Sequence, residues 1–402
     1  MNLFQNPTFL LILLGILFLG ILALAILFYF FTKNPIDKNK TQVFARFTAL
    51  NDIDKANLNK EEVVYSPFDF KEICEDFRNY AASELGLYYS IIDVRRFITG
   101  LASSHIMILQ GMSGTGKTSL AYAFGRYIEN DSSIIPVQPM WKERTDLIGY
   151  YNEFTKKFNE TPFLEALYKA NYSKDMFITI LDEMNIARVE YYFAEFLSLL
   201  EIPDPESRYI DVVSSRLPGD PLLLVEGKIK LPDNMWFIGT VNNDDSTFSI
   251  SDKVYDRAMI MNLDKRATPF DAKATTSRKI SSVDFLNLAK EAYKNFKMEQ
   301  ELQDILAKLD VYLQDNFYIS FGNRINRQIN QYLAVYTACG GELMEALDDI
   351  LAKKVFRKLG NGSTSLVKKE IDSLFEKLDE LFGKGKMEEC KNQILRISQT
   401  SR

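Results

Sequence analysis

The hydrophobic positions of the chain follow three successive patterns, and each pattern predicts a different part of the structure. The first is an unbroken run of 23 residues without a charged side chain, from Phe9 to Phe31. As a helix rising about 1.5 Å per residue, this run would span roughly 34 Å, enough to cross the apolar core of a bilayer. We therefore expect residues 9–31 to form a transmembrane helix.

A cleaved signal peptide is the alternative for this run. Signal peptides have a basic start and an apolar region of about 7–15 residues, whereas no Lys or Arg precedes this longer run. Lysines follow it instead, at Lys33, Lys38 and Lys40. Because basic residues favour the cytoplasmic side, we expect a single-pass protein of the cell membrane, with its N-terminus outside and its body cytoplasmic.

In the second pattern, short apolar runs alternate with helical spacing, which is typical of an α/β fold with a mostly parallel sheet. After a juxtamembrane linker and helix at residues 32–83, we predict an α/β core over residues 84–265. The expected core strands are His105–Gln110, Ser133–Val137, Met176–Leu181, Met235–Val241 and Ala258–Leu263.

In the third pattern, helical spacing continues from about residue 280 to the end. We assign residues 266–402 to a C-terminal helical region. Within it, four basic residues form a patch that we interpret as the solvated face of a helix: Lys353, Lys354, Arg357 and Lys358. The sequence assigns no role to residues 360–402.

Composition narrows the classes of function. The chain has one histidine, His105, and three widely separated cysteines, so neither an HExxH zinc site nor a CxxC pair can form. Residues 34–402 carry 47 basic and 54 acidic residues. This mildly acidic balance lacks the basic footprint of a dedicated nucleic-acid-binding protein, although a local basic face stays open.

One segment fits the phosphate-binding pattern G-x-x-x-x-G-K-[ST] at every fixed position. It lies between a predicted strand and a helical pattern, the context that a P-loop requires. Backbone N–H groups of such a loop surround phosphates, and the helix N-terminus adds partial positive charge. The residues expected to bind a nucleoside triphosphate are Gly111, Ser113, Gly114, Thr115, Gly116, Lys117, Thr118 and Ser119.

Polar residues also end two other predicted strands. Asp182 and Glu183 follow an apolar run, and Asn242 ends another. We expect the Thr118 hydroxyl and Asp182 to hold Mg²⁺, and Glu183 to polarise the attacking water. Asn242 is the better candidate for holding that water, and Asn243 is the second.

The order of these motifs, followed by Asp256-Arg257, resembles that of AAA+ ATPases. Residues 181–201 (Leu-Asp-Glu-Met-Asn-Ile-Ala-Arg and onward), 145–149 and 231–242 resemble the dynein-related group that contains McrB-like and MoxR-like proteins, the McrB-like side more closely. The resemblance covers roughly residues 85–360. It implies a three-layer P-loop core with a parallel sheet, a β-hairpin within residues 205–232, a helical lid and a homo-oligomer, a hexamer by family likeness.

The resemblance also implies two arginine roles. Arg257 stands where the family has an arginine that reaches into a neighbouring subunit's site. Arg324 stands at the position of the lid arginine that contacts the γ-phosphate, and Arg327, one helical turn on, is the alternative.

One departure from the family pattern concerns the nucleotide. GTP-using McrB proteins typically show Met-Asn-x-x-Asp-Arg, whereas residues 241–246 end in Ser246 instead of arginine. We therefore expect ATP with Mg²⁺, with GTP as the alternative. Two functions stay open: a membrane-anchored ring ATPase that remodels an unknown protein partner, or an McrB-like motor of a nucleic-acid defence or restriction complex with a separate nuclease subunit.

Overall fold

The structure is a computed structural model that describes residues 15, 17–26, 28–29, 45–58, 63–242, 247–360 and 364–400. They form two compact units: one contains the described residues up to Arg46 with Leu217–Gly219, and the other contains the rest. In the first unit, residues 17–26 are helical. No helix within the described ranges combines the length and apolarity needed to cross a membrane. The span expected at residues 9–31 lies partly outside these ranges.

The second unit is built on a five-stranded sheet. Its strands, numbered in chain order, are β1 (Ile106–Gly111), β2 (Ser133–Pro136), β5 (Phe177–Asp182), β8 (Met235–Asn242) and β9 (Met259–Asn262). They lie in the order β2-β5-β8-β1-β9, and every neighbouring pair is parallel. The predicted α/β class is confirmed, and the five expected strands agree with the structure to within one residue at each end.

Helices cover both faces of this sheet. In β1, Ile106 and Ile108 pack into one apolar cluster, whereas Met107 and Leu109 pack into another on the opposite face. Because both faces are buried, these strands are largely apolar and do not alternate with polar residues along their length. The first cluster is completed by α1 (Ala49–Asn57), α5 (Arg144–Ile148), α6 (Pro162–Ala170), α7 (Val189–Tyr192), α8 (Ala194–Leu199) and α9 (Asp252–Tyr255). The second is completed by α2 (Phe70–Leu85), α3 (Ile91–Ser103) and α4 (Lys117–Tyr127).

Two antiparallel hairpins extend from the core. β6 (Tyr209–Asp211) pairs with β7 (Lys228–Lys230), which confirms the hairpin expected within residues 205–232. β3 (Gly149–Asn152) pairs with β4 (Lys157–Glu160), a hairpin that the sequence did not predict.

The C-terminal region is helical, as expected. It contains α10 (Ser282–Asn295), α11 (Gln300–Phe317), α12 (Asn323–Ala338), α13 (Leu343–Lys354), α14 (Thr364–Phe382) and α15 (Glu388–Thr400). We call α11–α15 the lid helices. They share a third apolar cluster, separate from the two that flank the sheet.

The interpretation of the basic patch as a solvated face was wrong for two of its lysines. Lys353 and Lys354 are buried. Lys353 pairs with Asp349, which also forms an ion pair with Arg96 at 2.9 Å. Burial alone would raise the pKa of Asp349, but these two cations lower it. The sequence pattern fails here because a long lysine stem can pack in a core while its ammonium reaches polar groups.

Helix α1 is attached to the core through a carboxylate from another element. The Thr48 side chain makes no capping bond at its N-terminus. Glu160, the last residue of β4, instead accepts the backbone N–H groups of Thr48, Ala49 and Leu50 at 2.7, 3.0 and 2.8 Å. These are N–H groups that a helix leaves without an internal partner.

We predict that Glu160→Ala lowers the free energy of unfolding by about 1–2 kcal/mol, the cost of losing a helix cap. Amide hydrogen exchange should accelerate most strongly at Thr48–Leu50. Glu165→Ala is the control, because its partner Lys169 lies 3.9 Å away on an exposed surface. Unchanged exchange in α1 of the Glu160 variant would contradict the assigned cap.

Candidate active site

The loop between β1 and α4 is shaped for close approach of the backbone to a ligand. Gly111, Gly114 and Gly116 have φ values of 154°, 75° and 94°, a region that side chains disfavour. A Cβ on Gly111 would lie 2.3 Å from the Leu263 carbonyl oxygen. The loop ends at Lys117, where α4 begins, so backbone N–H groups at the helix N-terminus border the same space.

Lys117 is held within this loop. Its Nζ donates to the carbonyl oxygens of Gly111 at 3.1 Å and Met112 at 2.7 Å. Burial lowers the pKa of Lys117, and the carboxylates of Asp182 and Glu183 oppose that change. The ammonium and both carboxylates therefore lie close enough to interact.

Asp182 is the point where three elements meet. Its Oδ1 accepts from the Thr118 hydroxyl at 2.7 Å and from the Thr240 hydroxyl at 2.8 Å. Thr240 lies on β8, beside the end of β5, and its oxygen also accepts the backbone N–H of Glu183 at 2.9 Å. One hydroxyl thus fixes the orientation of both acidic residues.

The oxygen atoms at this point suit a small divalent cation. The Thr118 hydroxyl and the Asp182 carboxylate are adjacent, and oxygen is the ligand type that Mg²⁺ requires. Because Mg²⁺ keeps waters and phosphate oxygens as further ligands, one or two protein oxygens are sufficient. These residues therefore fit the ion that the sequence implied.

Glu183 stands in a conformation that the sequence gave no reason to expect. Its backbone is left-handed, with φ 53° and ψ 46°, and the 3-10 turn Met184–Ile186 follows directly. Its side chain is exposed. This turn carries the chain away from the strand immediately after Asp182, so that the Glu183 carboxylate is accessible at the sheet edge.

Asn242 lies next to the start of the P-loop. It pairs in register with Gly111 across β1 and β8. Its backbone carbonyl accepts from the side chain of Asn185 at 3.1 Å, and Asn185 also donates to the Phe248 carbonyl at 3.3 Å. Asn185 therefore fixes the chain on both sides of residues 243–246, which include the second candidate, Asn243, and lie outside the described residues.

A cavity of about 520 Å³ adjoins the loop. Arg266, in its lining, donates to the Gly114 carbonyl at 2.7 Å. On the other side of the loop, the Tyr89 hydroxyl donates to the Gly116 carbonyl at 3.3 Å. Residues of α3, of the segment after β9 and of the lid helices all line this cavity, and its volume is in the range of small-molecule sites.

The structure places Arg257 and Arg324 at the opposite edge of the sheet. Arg257 precedes β9, and its backbone carbonyl accepts from Ser104, just before β1 begins. The six residues of β1 separate this edge from the P-loop by roughly 20 Å at about 3.3 Å per residue. Both arginines pair with Glu201, at 2.9 Å for Arg257 and 2.5 Å for Arg324.

Arg324 therefore does not reach the P-loop of its own chain, and its expected contact with a γ-phosphate stays a prediction. Arg327 does not replace it, because it lines the same cavity as Arg257 and Arg324. The sequence indicated where helix α12 starts. It contained no signal that this helix start would lie at the edge of the sheet opposite the P-loop.

The other site residues expected from the sequence are brought together at one edge of the sheet: the loop from Gly111 to Ser119, Asp182, Glu183 and Asn242. Sequence reasoning missed Thr240, Asn185 and Glu201. Thr240 and Asn185 had a local signal, since each lies within three residues of a predicted site residue. Glu201 had none.

Two segments of the chain match known protein families. Residues 106–258 match the family described as AAA domain (dynein-related subfamily). Residues 274–401 match a domain of unknown function (DUF8727), which covers residues 360–401 of the segment to which the sequence assigned no role. A comparison with curated proteins gives no significant match.

Two solved structures are similar to the chain. A crystal structure of a proposed ATPase from Cytophaga hutchinsonii has 14% identity and a TM-score of 0.48, covering 81% of this chain and 96% of that one. A full-length MCM homologue from Methanopyrus kandleri has 10% identity and a TM-score of 0.39, covering 72% and 62%. Neither similarity bears on function.

The matched segment contains the P-loop, the paired carboxylates and the strand that carries Asn242. Its match to the AAA domain of the dynein-related subfamily agrees with the resemblance that the sequence suggested. The chain is accordingly an ATP-hydrolysing enzyme of the AAA+ type.

We predict that Thr240→Val lowers kcat by roughly 10- to 100-fold, as loss of an orienting partner at a metal ligand typically does. Valine keeps the shape but removes both hydrogen bonds to the acidic pair. The matched control is Thr179→Val on the neighbouring strand β5, because the Thr179 hydroxyl is buried without a hydrogen-bond partner. Steady-state ATP hydrolysis across Mg²⁺ concentrations checks this. Equal activity of the two variants would refute the role of Thr240.

Proposed function

We propose that the protein is a ring-forming AAA+ ATPase in which Arg257 of one subunit completes the nucleotide site of its neighbour. The observation that supports this is the position of Arg257 across the sheet from its own P-loop. Its guanidinium is partly exposed, and its charge is balanced by Glu201. An arginine supplied by a neighbour stabilises charge on the phosphoryl group that is transferred.

Arg324 is part of the same proposal. It shares Glu201 with Arg257, so the two guanidinium groups stand side by side. We propose that both face the neighbouring subunit, where two cations would meet the γ-phosphate. Glu201 would hold them in place until that contact forms.

Within each subunit, the proposed roles follow from the geometry. Lys117 and the N–H groups of the loop hold the β- and γ-phosphates, and Thr118 and Asp182 provide the oxygens for Mg²⁺. Mg²⁺ held by these two residues would neutralise negative charge on the phosphates. Glu183 accepts the proton of the attacking water, and Asn242 orients that water. The cavity beside Arg266 is the space into which the nucleoside would extend.

We propose that hydrolysis drives the remodelling of a protein partner. The mildly acidic balance of residues 34–402 is more compatible with a protein client than with nucleic acid. ATP is the proposed nucleotide because Ser246 replaces the arginine of the GTP-using pattern. The alternative function is a nucleic-acid-directed motor with a separate nuclease. The experiment below distinguishes this motor from a protein remodeller.

We further propose that residues 9–31 anchor the protein in the cell membrane, with the AAA+ domain cytoplasmic. The support comes from the sequence alone: 23 residues without a charge, followed by lysines.

The first test is ATP and GTP hydrolysis by the full chain in mild detergent, over a wide range of protein concentrations. Specific activity with ATP should rise steeply with concentration, because a lone subunit lacks the arginine of its neighbour. Arg257→Ala should lower kcat on the order of 10³-fold with little change in KM. Arg126→Ala, which removes an exposed ion pair with Asp131, is the control.

Two outcomes would change the proposal. Specific activity independent of concentration, with full activity of the Arg257 variant, would exclude a site completed between subunits. Stimulation by DNA or RNA, or a preference for GTP, would favour the nucleic-acid motor over the protein remodeller.

The anchor is tested by membrane fractionation. The full chain should sediment with membranes and resist extraction at alkaline pH. Changing Leu17 and Leu24 together to Asp should release it, because each charge in the bilayer core costs about 2.5–3.5 kcal/mol. Leu58→Asp, an exposed position outside the run, is the control. Release of the unchanged chain would refute the anchor.

A further inference from the structure

A buried lysine of the lid contacts the chain segment that carries Arg257. Lys354, the last residue of α13, is only 1% exposed. Its Nζ donates to the backbone carbonyls of Tyr255 at 2.8 Å, Asp256 at 3.4 Å and Ala258. These residues flank Arg257 on both sides.

Other lid residues contact the same segment. The side chain of Gln328, on α12, donates to the Asp256 carbonyl at 3.1 Å. Lys358 pairs with the Asp256 carboxylate at 3.2 Å. The guanidinium of Arg357 lies 4.3 Å from the centre of the Tyr255 ring. The turn that presents Arg257 is thus held by the lid on several sides.

Burial of the Lys354 ammonium costs solvation free energy. Burial lowers the pKa of Lys354 to about 7, with Asp256 opposing this change and Arg357, Lys358 and Arg324 adding to it. A buried cation is unfavourable unless polar groups surround it. Here those polar groups are backbone carbonyls at the end of α9 and in the turn after it. Carbonyls at the end of a helix have no partner within the helix, so the Lys354 ammonium supplies a hydrogen-bond donor to them.

We infer that Lys354 is a positioning residue for hydrolysis in the neighbouring subunit, because it fixes the turn at residues 255–258 and thereby the direction of Arg257. This inference rests on the proposed function, in which Arg257 acts on the neighbour. It makes the placement of that arginine depend on the lid of the subunit that supplies it.

The test uses mixtures of full-length variants in which each subunit carries one defect. Glu183→Gln should bind ATP without hydrolysing it, so it keeps its arginine but lacks a working site. Arg257→Ala keeps its site but lacks the arginine. Mixing these two should raise the activity above that of either alone, because the intact site of one meets the intact arginine of the other.

Lys354→Met should behave like the loss of the arginine. Alone, it should lower kcat on the order of 10- to 100-fold, the scale expected for a displaced catalytic group, with KM changed less than about twofold. Mixed with Glu183→Gln it should regain activity. Mixed with Arg257→Ala it should regain none, because neither partner then supplies a correctly placed arginine.

If Lys354 instead supported the nucleotide site of its own subunit, the pattern of rescue in the two mixtures would be reversed. Rescue by Arg257→Ala, without rescue by Glu183→Gln, would overturn the inference. If Arg257→Ala and Glu183→Gln fail to complement each other, the proposed function itself fails, and the inference fails with it. Lys369→Met, on the exposed face of α14, controls for a change of lysine to methionine in the lid.

A milder variant covers the case in which Lys354→Met does not fold. Lys358→Ala removes only a partly exposed ion pair with Asp256. It should give a smaller loss of kcat with the same pattern of rescue. Thermal unfolding of each variant shows whether it is folded. A folded Lys358 variant with normal kcat would refute the role of the lid contacts.

Discussion

One oxygen of Asp182 accepts two hydroxyl hydrogens, from Thr118 and Thr240, and the nucleotide site depends on this shared acceptor. The contact joins the P-loop helix, the strand that bears the acidic pair and the strand that ends in Asn242. Of the three side chains, Thr240 is buried within the sheet, whereas Thr118 and Asp182 are partly exposed at its edge. The Thr240 hydroxyl oxygen also accepts a hydrogen bond from the backbone N–H of Glu183. One side chain therefore contacts both the proposed metal ligand and the proposed base.

The parallel sheet gives this chain two chemically different edges. Polar side chains at the C-terminal ends of the strands meet the phosphates, whereas the N-terminal ends carry Arg257 and, through Glu201, Arg324. A sheet of this length cannot be spanned by an arginine side chain. Under the proposed function, a single chain carries both the phosphate-binding edge and the arginines but cannot bring them together, and this separation supports the proposed ring.

The sequence was sufficient for the parts of the fold that depend on local pattern. The five strands, the P-loop and the acidic pair are each defined by residues that are neighbours in the sequence. Because parallel strands run in the same direction, Asp182 and Asn242 come to lie at one edge of the sheet. It was insufficient where distant elements pack together. The location of Arg324 depends on how α12 meets Glu201, and the burial of Lys354 depends on α13 reaching the turn after α9. The left-handed backbone of Glu183 likewise depends on Thr240, more than fifty residues away.

The attachment of α1 has a mechanical consequence. The carboxylate that caps this helix belongs to the β3–β4 hairpin, and the same helix uses Asp54 to accept the Tyr168 hydroxyl at 2.5 Å. Hydrogen bonds are directional and weaken steeply when stretched or bent. A displacement of the hairpin would therefore be transmitted to α1 through the hydrogen bonds of Glu160, and to α6 through the bond between Tyr168 and Asp54. The hairpin and the first helix of the core are in this way mechanically coupled.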